Sequence, residues 1–250
     1  MSIPTIACVM RTGGIYTPKY VYNLRDAINR HTNLKHNFVC LSDTPIPSVT
    51  TIPLIHKWRG WWSKIELFRP NLFPGPVITM DLDALIVGDI LPLFYCSDQM
   101  TMVKERGRNP NYFSSSCMAW TGDYSFVYDN FKKNPEKYME QFKRMPLIGD
   151  QAYISKELTD NKVKVRTFCQ VLGYLPVVSY KRDCTKDGKI PKHPKACFIN
   201  LGGKPKPHQF TEGWVYETWN GTKPKAVEPK TEPEATKPTV SSVKRWRPRD

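Results

Sequence analysis

Hydrophobic residues in the first third of the chain alternate between short uninterrupted runs and a helical spacing. Residues 6–10, 38–41 and 77–80 are mostly apolar and are flanked by turn residues, which is typical of buried strands. From Pro18 to His31 the apolar residues instead recur every three or four positions, and the proline suits the first turn of a helix. Strands that alternate with helices predict parallel α/β layers.

Less regular patterns predict the remaining elements. Ser63 is a candidate N-cap for a helix that Pro70 would end. A second apolar run, at 84–87, follows the strand predicted at 77–80. Beyond residue 107 we expect strands at 117–120, 177–178 and 197–199 and helices at 124–134, 135–142 and 151–158. Together these elements predict one α/β domain over residues 1–220.

The composition changes after residue 220. Residues 221–250 are rich in Lys, Pro, Glu and Thr and hold few apolar side chains, which predicts a disordered tail. Near its end, cations surround a tryptophan, a mixture that is typical of tails that bind nucleic acid. These cations are Lys244, Arg245, Arg247 and Arg249. A solubilising terminus explains the same residues almost equally well.

Positive charge is concentrated in the later part of the chain. The net charge is +14, of which +3 belongs to residues 1–160 and +11 to residues 161–250. The excess indicates a polyanionic partner such as DNA, or a phosphate-bearing substrate. Lys104, Arg106 and Arg108 form another basic cluster, predicted to lie in a loop, that either contacts an acceptor phosphate or is simply solvated.

Composition also excludes several classes of protein. With 40% apolar and 24% charged residues, the chain is neither fibrous nor disordered throughout. No apolar run approaches the ~18–20 residues of a membrane span, and the N-terminal residues do not resemble a signal peptide. The seven cysteines include no C-x-x-C pair, which argues for a reducing compartment and against a zinc site. We therefore expect a cytoplasmic protein with no membrane insertion and no obligate protein partner.

Asp81 and Asp83 give the sharpest chemical signal, because they directly follow the strand predicted at 77–80. Open α/β sheets bind ligands at the carboxyl ends of their strands, and two carboxylates there can share a hard cation such as Mg²⁺ or Mn²⁺. The alternative is that Asp81 caps the next segment while Asp83 is solvated. Burying unpaired carboxylates next to a core is costly, which favours the ligand role.

Several segments resemble, in the expected order, the motifs of the GT-A glycosyltransferases. The match is best to the retaining glycogenin/galactosyltransferase-like group, glycosyltransferase family eight, and its small phage and bacterial relatives. The similar segments are T-G-G-I-Y at 12–16, W-W-S-K-I-E-L-F at 61–68, D-L-D at 81–83, Y-F-S-S-S-C-M at 112–118, G-D-Q at 149–151 and N-L-G-G-K-P-K-P-H at 200–208. The resemblance covers roughly residues 5–210 and implies a GT-A, Rossmann-like domain.

The resemblance also implies a role for each motif. The residues expected to bind a nucleotide-sugar donor, a UDP-sugar above all, are Thr12, Gly13, Tyr16, Lys64, Asp81, Leu82, Asp83, Ser114, Ser115, Gly203 and Lys206. The residues expected to act on the sugar are Asp150 and Gln151, beside the anomeric carbon, and Lys206, which would stabilise the departing diphosphate. Asp150 would serve as a nucleophile or would stabilise an oxocarbenium ion.

Two positions depart from the family pattern. Asn200 stands where the family has a histidine that completes the metal site. An amide oxygen suits Mn²⁺ or Mg²⁺, so the resemblance implies a metal held by Asp81, Asp83 and Asn200; otherwise water or His208 fills the third position. Ser114 replaces an asparagine, which leaves the identity of the donor sugar open.

The function implied is a metal-dependent retaining glycosyltransferase that moves a sugar to an acceptor hydroxyl. The leading acceptor is a hydroxymethylated pyrimidine in phage DNA, because the positive charge is concentrated in residues 161–250 and the motifs are similar to those of phage enzymes. If a phage encodes the protein, it would work in the host cytoplasm. The alternatives are a cell-envelope saccharide or a protein hydroxyl as acceptor, and a non-catalytic nucleic-acid-binding protein with a GT-A-like domain.

Overall fold

A mixed sheet forms the centre of the protein, and a smaller sheet lies beside it. The computed structural model describes residues 3–105, 111–184, 193 and 195–222. The strands are β1 (Thr5–Met10), β2 (Asn37–Ser42), β3 (Thr50–Pro53), β4 (Val77–Met80), β5 (Ala84–Ile86), β6 (Thr101–Lys104), β7 (Phe113–Trp120), β8 (Lys143–Arg144), β9 (Leu147–Ile148), β10 (Arg166–Thr167), β11 (Val177–Ser179) and β12 (Phe198–Asn200). The longest strand is β7, with eight residues, followed by β1 and β2 with six each.

Helices connect these strands and cover both faces of the main sheet. The α-helices are α1 (Pro18–His31), α2 (Leu91–Phe94), α3 (Phe126–Lys133), α4 (Pro135–Gln141), α5 (Gly149–Asp160), α6 (Phe168–Leu172), α7 (Tyr180–Asp183) and α8 (Gly213–Asn220). Two 3₁₀ helices span Gly60–Phe68 and Pro207–Gln209. None of the described helices is long and apolar enough to cross a membrane.

The main sheet is mostly parallel. Its strand order is β10-β6-β7-β4-β1-β2-β3; β1 is parallel to both β2 and β4, whereas β7 is antiparallel to β4 and β6. The smaller sheet has the order β11-β12-β5, and within it Asn200 of β12 pairs with Ala84 of β5. The chain passes from the main sheet to the smaller one between β4 and β5, where Asp81 and Asp83 lie.

Alternate residues of β1 face two different hydrophobic cores. Ile6 and Cys8 belong to a core that includes residues of α1, α8 and the smaller sheet, whereas Ala7 belongs to a core that includes residues of the 3₁₀ helix Gly60–Phe68, α3 and α5. This follows from the period of two in a strand, which sends successive side chains to opposite faces. A strand buried on both faces reads as a continuous apolar run, which is why 6–10 was recognisable in the sequence.

The predicted fold class is confirmed. The helix and strands with the clearest apolar pattern lie where the sequence predicts them. The helix predicted from Pro18 to His31 is α1, and its buried residues have helical spacing. The strands predicted at 6–10, 38–41 and 77–80 are β1, β2 and β4. The later predicted elements also exist, with α5 beginning at Gly149 rather than at Gln151. All seven cysteines are free thiols, and all but Cys169 are buried.

Two local predictions were wrong. Ser63 does not cap a helix, because the 3₁₀ helix has already begun at Gly60; its hydroxyl donates to the Trp58 carbonyl (2.7 Å) and accepts from Arg11. Lys104 does not lie in a loop: it is the last residue of β6, and its ammonium lies over the Phe113 ring. The tail expected after residue 220 falls almost wholly outside the described residues, which end at Thr222.

Candidate active site

A cleft of about 980 Å³ opens at the carboxyl ends of β1 and β4. Five segments contribute to its wall: the loop after β1, the start of the 3₁₀ helix, the Asp81–Asp83 step, one edge of β7 with the start of α5, and the chain after β12. The residues predicted to bind donor or metal or to act on the sugar all line it: Thr12, Gly13, Tyr16, Lys64, Asp81, Leu82, Asp83, Ser114, Ser115, Asp150, Gln151, Asn200, Gly203 and Lys206.

Lys64 lies at the centre of the first charged group in the cleft. Its Nζ is 2.6 Å from Asp81 Oδ1 and 3.3 Å from Asp150 Oδ2. It also donates to Ser115 Oγ at 3.0 Å, and that hydroxyl donates to Asp150 Oδ2 at 2.6 Å. One ammonium therefore neutralises two carboxylates from different segments of the chain and fixes their positions relative to each other.

Burial and charge act in opposite directions on this group. Burial lowers the pKa of Lys64, but the charges of Asp150 and Asp81 outweigh it and hold the pKa above its ordinary value. Burial raises the pKa of Asp81 to about 6, and the nearby carboxylates of Asp83 and Asp150 act in the same direction, while Lys64 opposes them. Lys64 therefore remains a cation throughout the physiological range.

Asp83 is held by a second cation. Its carboxylate is almost completely buried, and its Oδ2 atom accepts from Lys206 Nζ and from the Tyr16 hydroxyl, the latter at 3.3 Å. The Lys206 ammonium lies 5.6 Å from the centre of the Tyr16 ring, a cation–π distance. Burial, followed by the charges of Asp83 and Asp81, raises the pKa of the Tyr16 hydroxyl, which therefore stays protonated as a donor.

Backbone pairing explains why these groups meet. The Asp81 amide donates to the Ser116 carbonyl at 2.9 Å, which extends the β4–β7 ladder by one residue. The serines of β7 therefore lie next to Asp81. On the other side, the pairing of Asn200 with Ala84 brings β12 next to the residue that follows Asp83.

The chain after β12 turns sharply at two glycines. Asn200 Oδ1 accepts from the Gly202 amide at 2.9 Å, and Gly203 has a left-handed φ of +74°. A Cβ at Gly203 would also lie 2.9 Å from Lys181 Nζ. Glycine is therefore needed here for the backbone to line the cleft, and the turn carries the chain from Asn200 to Lys206.

The donor set of the cleft fits a hard divalent cation. Lys64 lies 2.6 Å from Oδ1 of Asp81, and Lys206 and Tyr16 donate to Oδ2 of Asp83. The second oxygen of each carboxylate accepts no hydrogen bond from the residues that the structure describes. The Asn200 amide oxygen bonds Gly202 and retains a second lone pair. No group of three or more His, Cys, Asp or Glu residues suited to a metal is present in the part of the chain that the structure describes. Oxygen ligands of this kind suit Mg²⁺ or Mn²⁺.

Of the predicted acceptor residues, Lys104 is the one that the structure describes. Lys104 lines a smaller cavity of about 290 Å³, whose wall shares Ser114 and Asn200 with the main cleft. The other predicted acceptor residues, Arg106, Arg108, Lys244, Arg245, Arg247 and Arg249, fall outside the described residues.

Asp43 is a positioning residue that sequence reasoning missed. It accepts from the Thr12 amide at 2.9 Å and from the Thr12 hydroxyl at 2.8 Å, and Arg11 lies 3.5 Å away. It therefore fixes the loop after β1 against the end of β2. Its position directly after an apolar strand, at the same sheet edge as Thr12, was the available signal.

Comparisons with known proteins agree with this architecture. No protein-family model matches the sequence, and no curated protein matches it either. Among solved structures, the glycosyltransferase GlyE of Streptococcus pneumoniae TIGR4 matches with a TM-score of 0.60 and 13% identity over 89% of this chain. The bifunctional glycosyltransferase WbbM matches with a TM-score of 0.57 and 14% identity over 88% of the chain.

A third structure, an active-site mutant of LgtC, matches with a TM-score of 0.55 and 10% identity over 87% of this chain and 94% of its own. The chain spans only 60% of the GlyE chain and 49% of the WbbM chain. At this level of sequence identity, the structural similarity indicates a shared fold. The protein therefore has the GT-A-like glycosyltransferase fold that the motifs predicted.

Proposed function

We propose that this protein is a glycosyltransferase that moves a sugar from a nucleotide-sugar donor to an acceptor hydroxyl. The observation that carries the proposal is the convergence of fourteen motif residues on one cleft in a glycosyltransferase fold. The cleft is at the carboxyl ends of parallel strands, where open α/β sheets bind nucleotides. Its volume of about 980 Å³ accommodates a ligand of nucleotide-sugar size.

The donor would lie with its nucleoside at the loop after β1 and its diphosphate between Asp83 and Lys206. Thr12 and Tyr16 belong to that loop, and Asp43 holds Thr12 in place. Lys206 would exchange its contact with Asp83 for one with the diphosphate. Because Gly203 has no Cβ, its backbone amide can approach the phosphates closely.

Asp81, Asp83 and Asn200 would hold a Mn²⁺ or Mg²⁺ ion. When bound, such an ion would supply positive charge to the diphosphate leaving group. The oxygens not occupied by lysine support this assignment, as does the pairing of Asn200 opposite the residue after Asp83. Retention of the Lys64 contact would keep Asp81 in place whether or not the ion is present.

Sugar transfer would occur beside Asp150 and Gln151. In a front-side displacement, the bond from the anomeric carbon to the diphosphate oxygen breaks while the acceptor oxygen bonds to the same face of that carbon. The acceptor proton passes to the departing phosphate oxygen, and Lys206 stabilises the charge on the diphosphate. Asp150 is buried and is held in position by Lys64 and Ser115, and a carboxylate at this position suits the stabilisation of an oxocarbenium-like carbon.

The acceptor that we propose is a hydroxymethylated pyrimidine in DNA. The support is the net charge of +14, which favours a polyanionic partner. A saccharide of the cell envelope and a protein hydroxyl are the competing acceptors. Donor binding and acceptor choice are separate questions, so each needs its own measurement.

Release of UDP from UDP-sugars in the presence of Mn²⁺ tests the activity. Asp83→Asn keeps the side-chain shape but removes the charge that holds Lys206, so we expect UDP release to fall at least 100-fold, on the order of 3 kcal/mol of transition-state stabilisation. Asp26→Asn is the matched control, because Asp26 is a surface residue of α1 paired with its neighbour Arg25. No release by the wild type with any UDP-sugar would contradict the proposal and favour a non-catalytic nucleic-acid-binding protein.

The acceptor is tested by sugar transfer to three substrates: DNA containing hydroxymethylpyrimidine, a lipid-linked saccharide and a protein. We expect transfer to the modified DNA. Transfer to either of the others alone would overturn the DNA assignment but keep the glycosyltransferase.

A further inference from the structure

One rim of the cleft carries two cations and an aromatic ring on neighbouring residues. Lys57, Arg59 and Trp61 are exposed and line the cleft, whereas Trp58 and Trp62 beside them are buried. We call Lys57, Arg59 and Trp61 the basic-aromatic rim. The buried tryptophans account for packing in this segment, since both contact the Phe131 ring. Trp61 is thus not needed for the core.

Trp61 is held in place yet open to the cleft. It lies three residues before Lys64 in the 3₁₀ helix, so the two side chains lie on the same face, one turn apart. The edge of its indole lies against Gly149, where an added Cβ would be 3.1 Å from the Trp61 Nε1 atom. Even so, 53% of the residue is exposed, and it contacts no other aromatic ring in the described residues. A fixed, half-open indole at the mouth of a cleft is a stacking platform.

The two cations of the rim lack carboxylate partners. Lys64 and Lys206, deeper in the cleft, are paired with aspartates, whereas neither Lys57 nor Arg59 forms an ion pair with any carboxylate in the described ranges. They follow each other at alternate positions along the chain and line the cleft. Unpaired cations next to an open ring are the combination found where single strands of nucleic acid bind.

We propose that the basic-aromatic rim binds a single strand of DNA, with an unstacked base on Trp61 and backbone phosphates on Lys57 and Arg59. The inference rests on the proposed function and adds to it that the acceptor base reaches the cleft out of its stack. Trp61 contacts Gly149, the residue before Asp150 and Gln151, so a base on its ring is on the side of the cleft where transfer would occur. A neutral saccharide could use the ring but gives no role to two unpaired cations.

Binding of a fluorescent single-stranded oligothymidylate to the full chain tests the rim, and the matched duplex serves as the second ligand. Base stacking contributes about 1–3 kcal/mol per base, so Trp61→Ala should weaken binding of the single strand about 5- to 150-fold. Tyr95→Ala is the matched control, because Tyr95 is an exposed aromatic residue away from both cavities. We expect the duplex to bind more weakly than the single strand. We also expect Trp61→Ala to reduce the affinity for the duplex less than the affinity for the single strand.

Salt dependence tests the cations. The logarithm of the binding constant falls with the logarithm of the salt concentration, and each phosphate contact on a single strand makes this slope steeper by about 0.7. Replacing both cations, Lys57→Ala with Arg59→Ala, should therefore make the slope shallower by about 1.4. Lys35→Ala with Arg144→Ala, two exposed cations outside the cleft, should leave it unchanged. Because the whole chain is used, any contribution of residues after 222 is common to all variants.

The outcomes separate the rim from the proposed activity. If Trp61→Ala binds the single strand as tightly as Tyr95→Ala does, or if the wild type prefers the duplex, the rim inference is overturned. Binding of a phosphorylated saccharide, but not of the oligonucleotide, also overturns it. UDP release by the wild type is measured in parallel: its absence contradicts the glycosyltransferase proposal, whatever the oligonucleotide result.

Discussion

Replacing Lys64 by methionine should destabilise the whole domain as well as alter the cleft. The substitution keeps much of the apolar stem but removes the ammonium that lies 2.6 Å from Asp81 and 3.3 Å from Asp150. The Lys64 side chain is 13% exposed and that of Asp150 is 8% exposed, so water cannot fully replace the lost charge. Removing one partner of a buried ion pair costs about 3–5 kcal/mol.

The lower end of that range applies, because the Asp81 side chain is 29% exposed and its carboxylate regains some hydration. For a domain of this size each kcal/mol lowers the Tm by about 2–4 °C, so a loss of about 3 kcal/mol predicts a fall of roughly 6–12 °C. Thermal unfolding at neutral pH measures it. Lys143→Met is the matched control, since Lys143 forms an exposed surface pair with Glu140 that should contribute about 0–1 kcal/mol.

A double-variant cycle shows whether the cause is the ion pair. Asp150→Asn removes one of the two charges that Lys64 neutralises, so combining it with Lys64→Met should cost at least about 1 kcal/mol less than the sum of the single changes. Strictly additive effects would contradict the reasoning. So would a Tm for Lys64→Met no lower than that of Lys143→Met.

Three further changes test other parts of the protein. Gly149→Ala should lower stability by about 1–2 kcal/mol in thermal unfolding, because φ is +75° and the new methyl meets Trp61; an unchanged Tm would argue against a strained site. Burial lowers the pKa of His56 below its ordinary 6.5, so the free energy of unfolding should be highest above that pH and fall as the pH drops through the lowered pKa. Urea unfolding at roughly pH 7.5 and 5.5 should show a smaller drop for His56→Phe, and an equal drop would refute this assignment. Asn200→Ala removes the hydrogen bond that Asn200 Oδ1 accepts from the Gly202 amide, which contributes about 0.5–1.5 kcal/mol. The KM for the UDP-sugar should therefore rise about two- to ten-fold in the UDP-release assay. An unchanged KM would show that this turn does not position the donor.

The elements that the sequence predicted correctly are those with a strong local signal. Strands β1, β2 and β4 read as mostly apolar runs, and α1 has both a helical period and a proline in its first turn. By contrast, β8, β9 and β10 have two residues each, too few to establish a period of two. The segment around Ser63 forms a 3₁₀ helix, which the apolar spacing did not distinguish from an α-helix.

The predicted site residues line one cleft, but the sequence did not predict how their charges pair. Lys64 and Lys206 were both predicted to bind the donor, yet nothing in the spacing showed that Lys64 would neutralise Asp81 and Asp150 or that Lys206 would neutralise Asp83. Those partners come from segments far apart along the chain. Lys104 was predicted to lie in a loop because its neighbours are charged, but it is the last residue of β6.

Asp81 and Asp83 lie where the main sheet passes into the smaller one, since β4 ends just before the first and β5 begins just after the second. The relative position of the two carboxylates therefore depends on how the two sheets pack against each other. The smaller sheet rests on α1 and α8, which are joined by the contact of Tyr20 with Trp219 at 5.1 Å. The Tyr20 ring also contacts Tyr16 and His208, which both line the cleft, so loosening its contact with Trp219 should disturb the cleft wall and raise the KM for the proposed nucleotide-sugar donor.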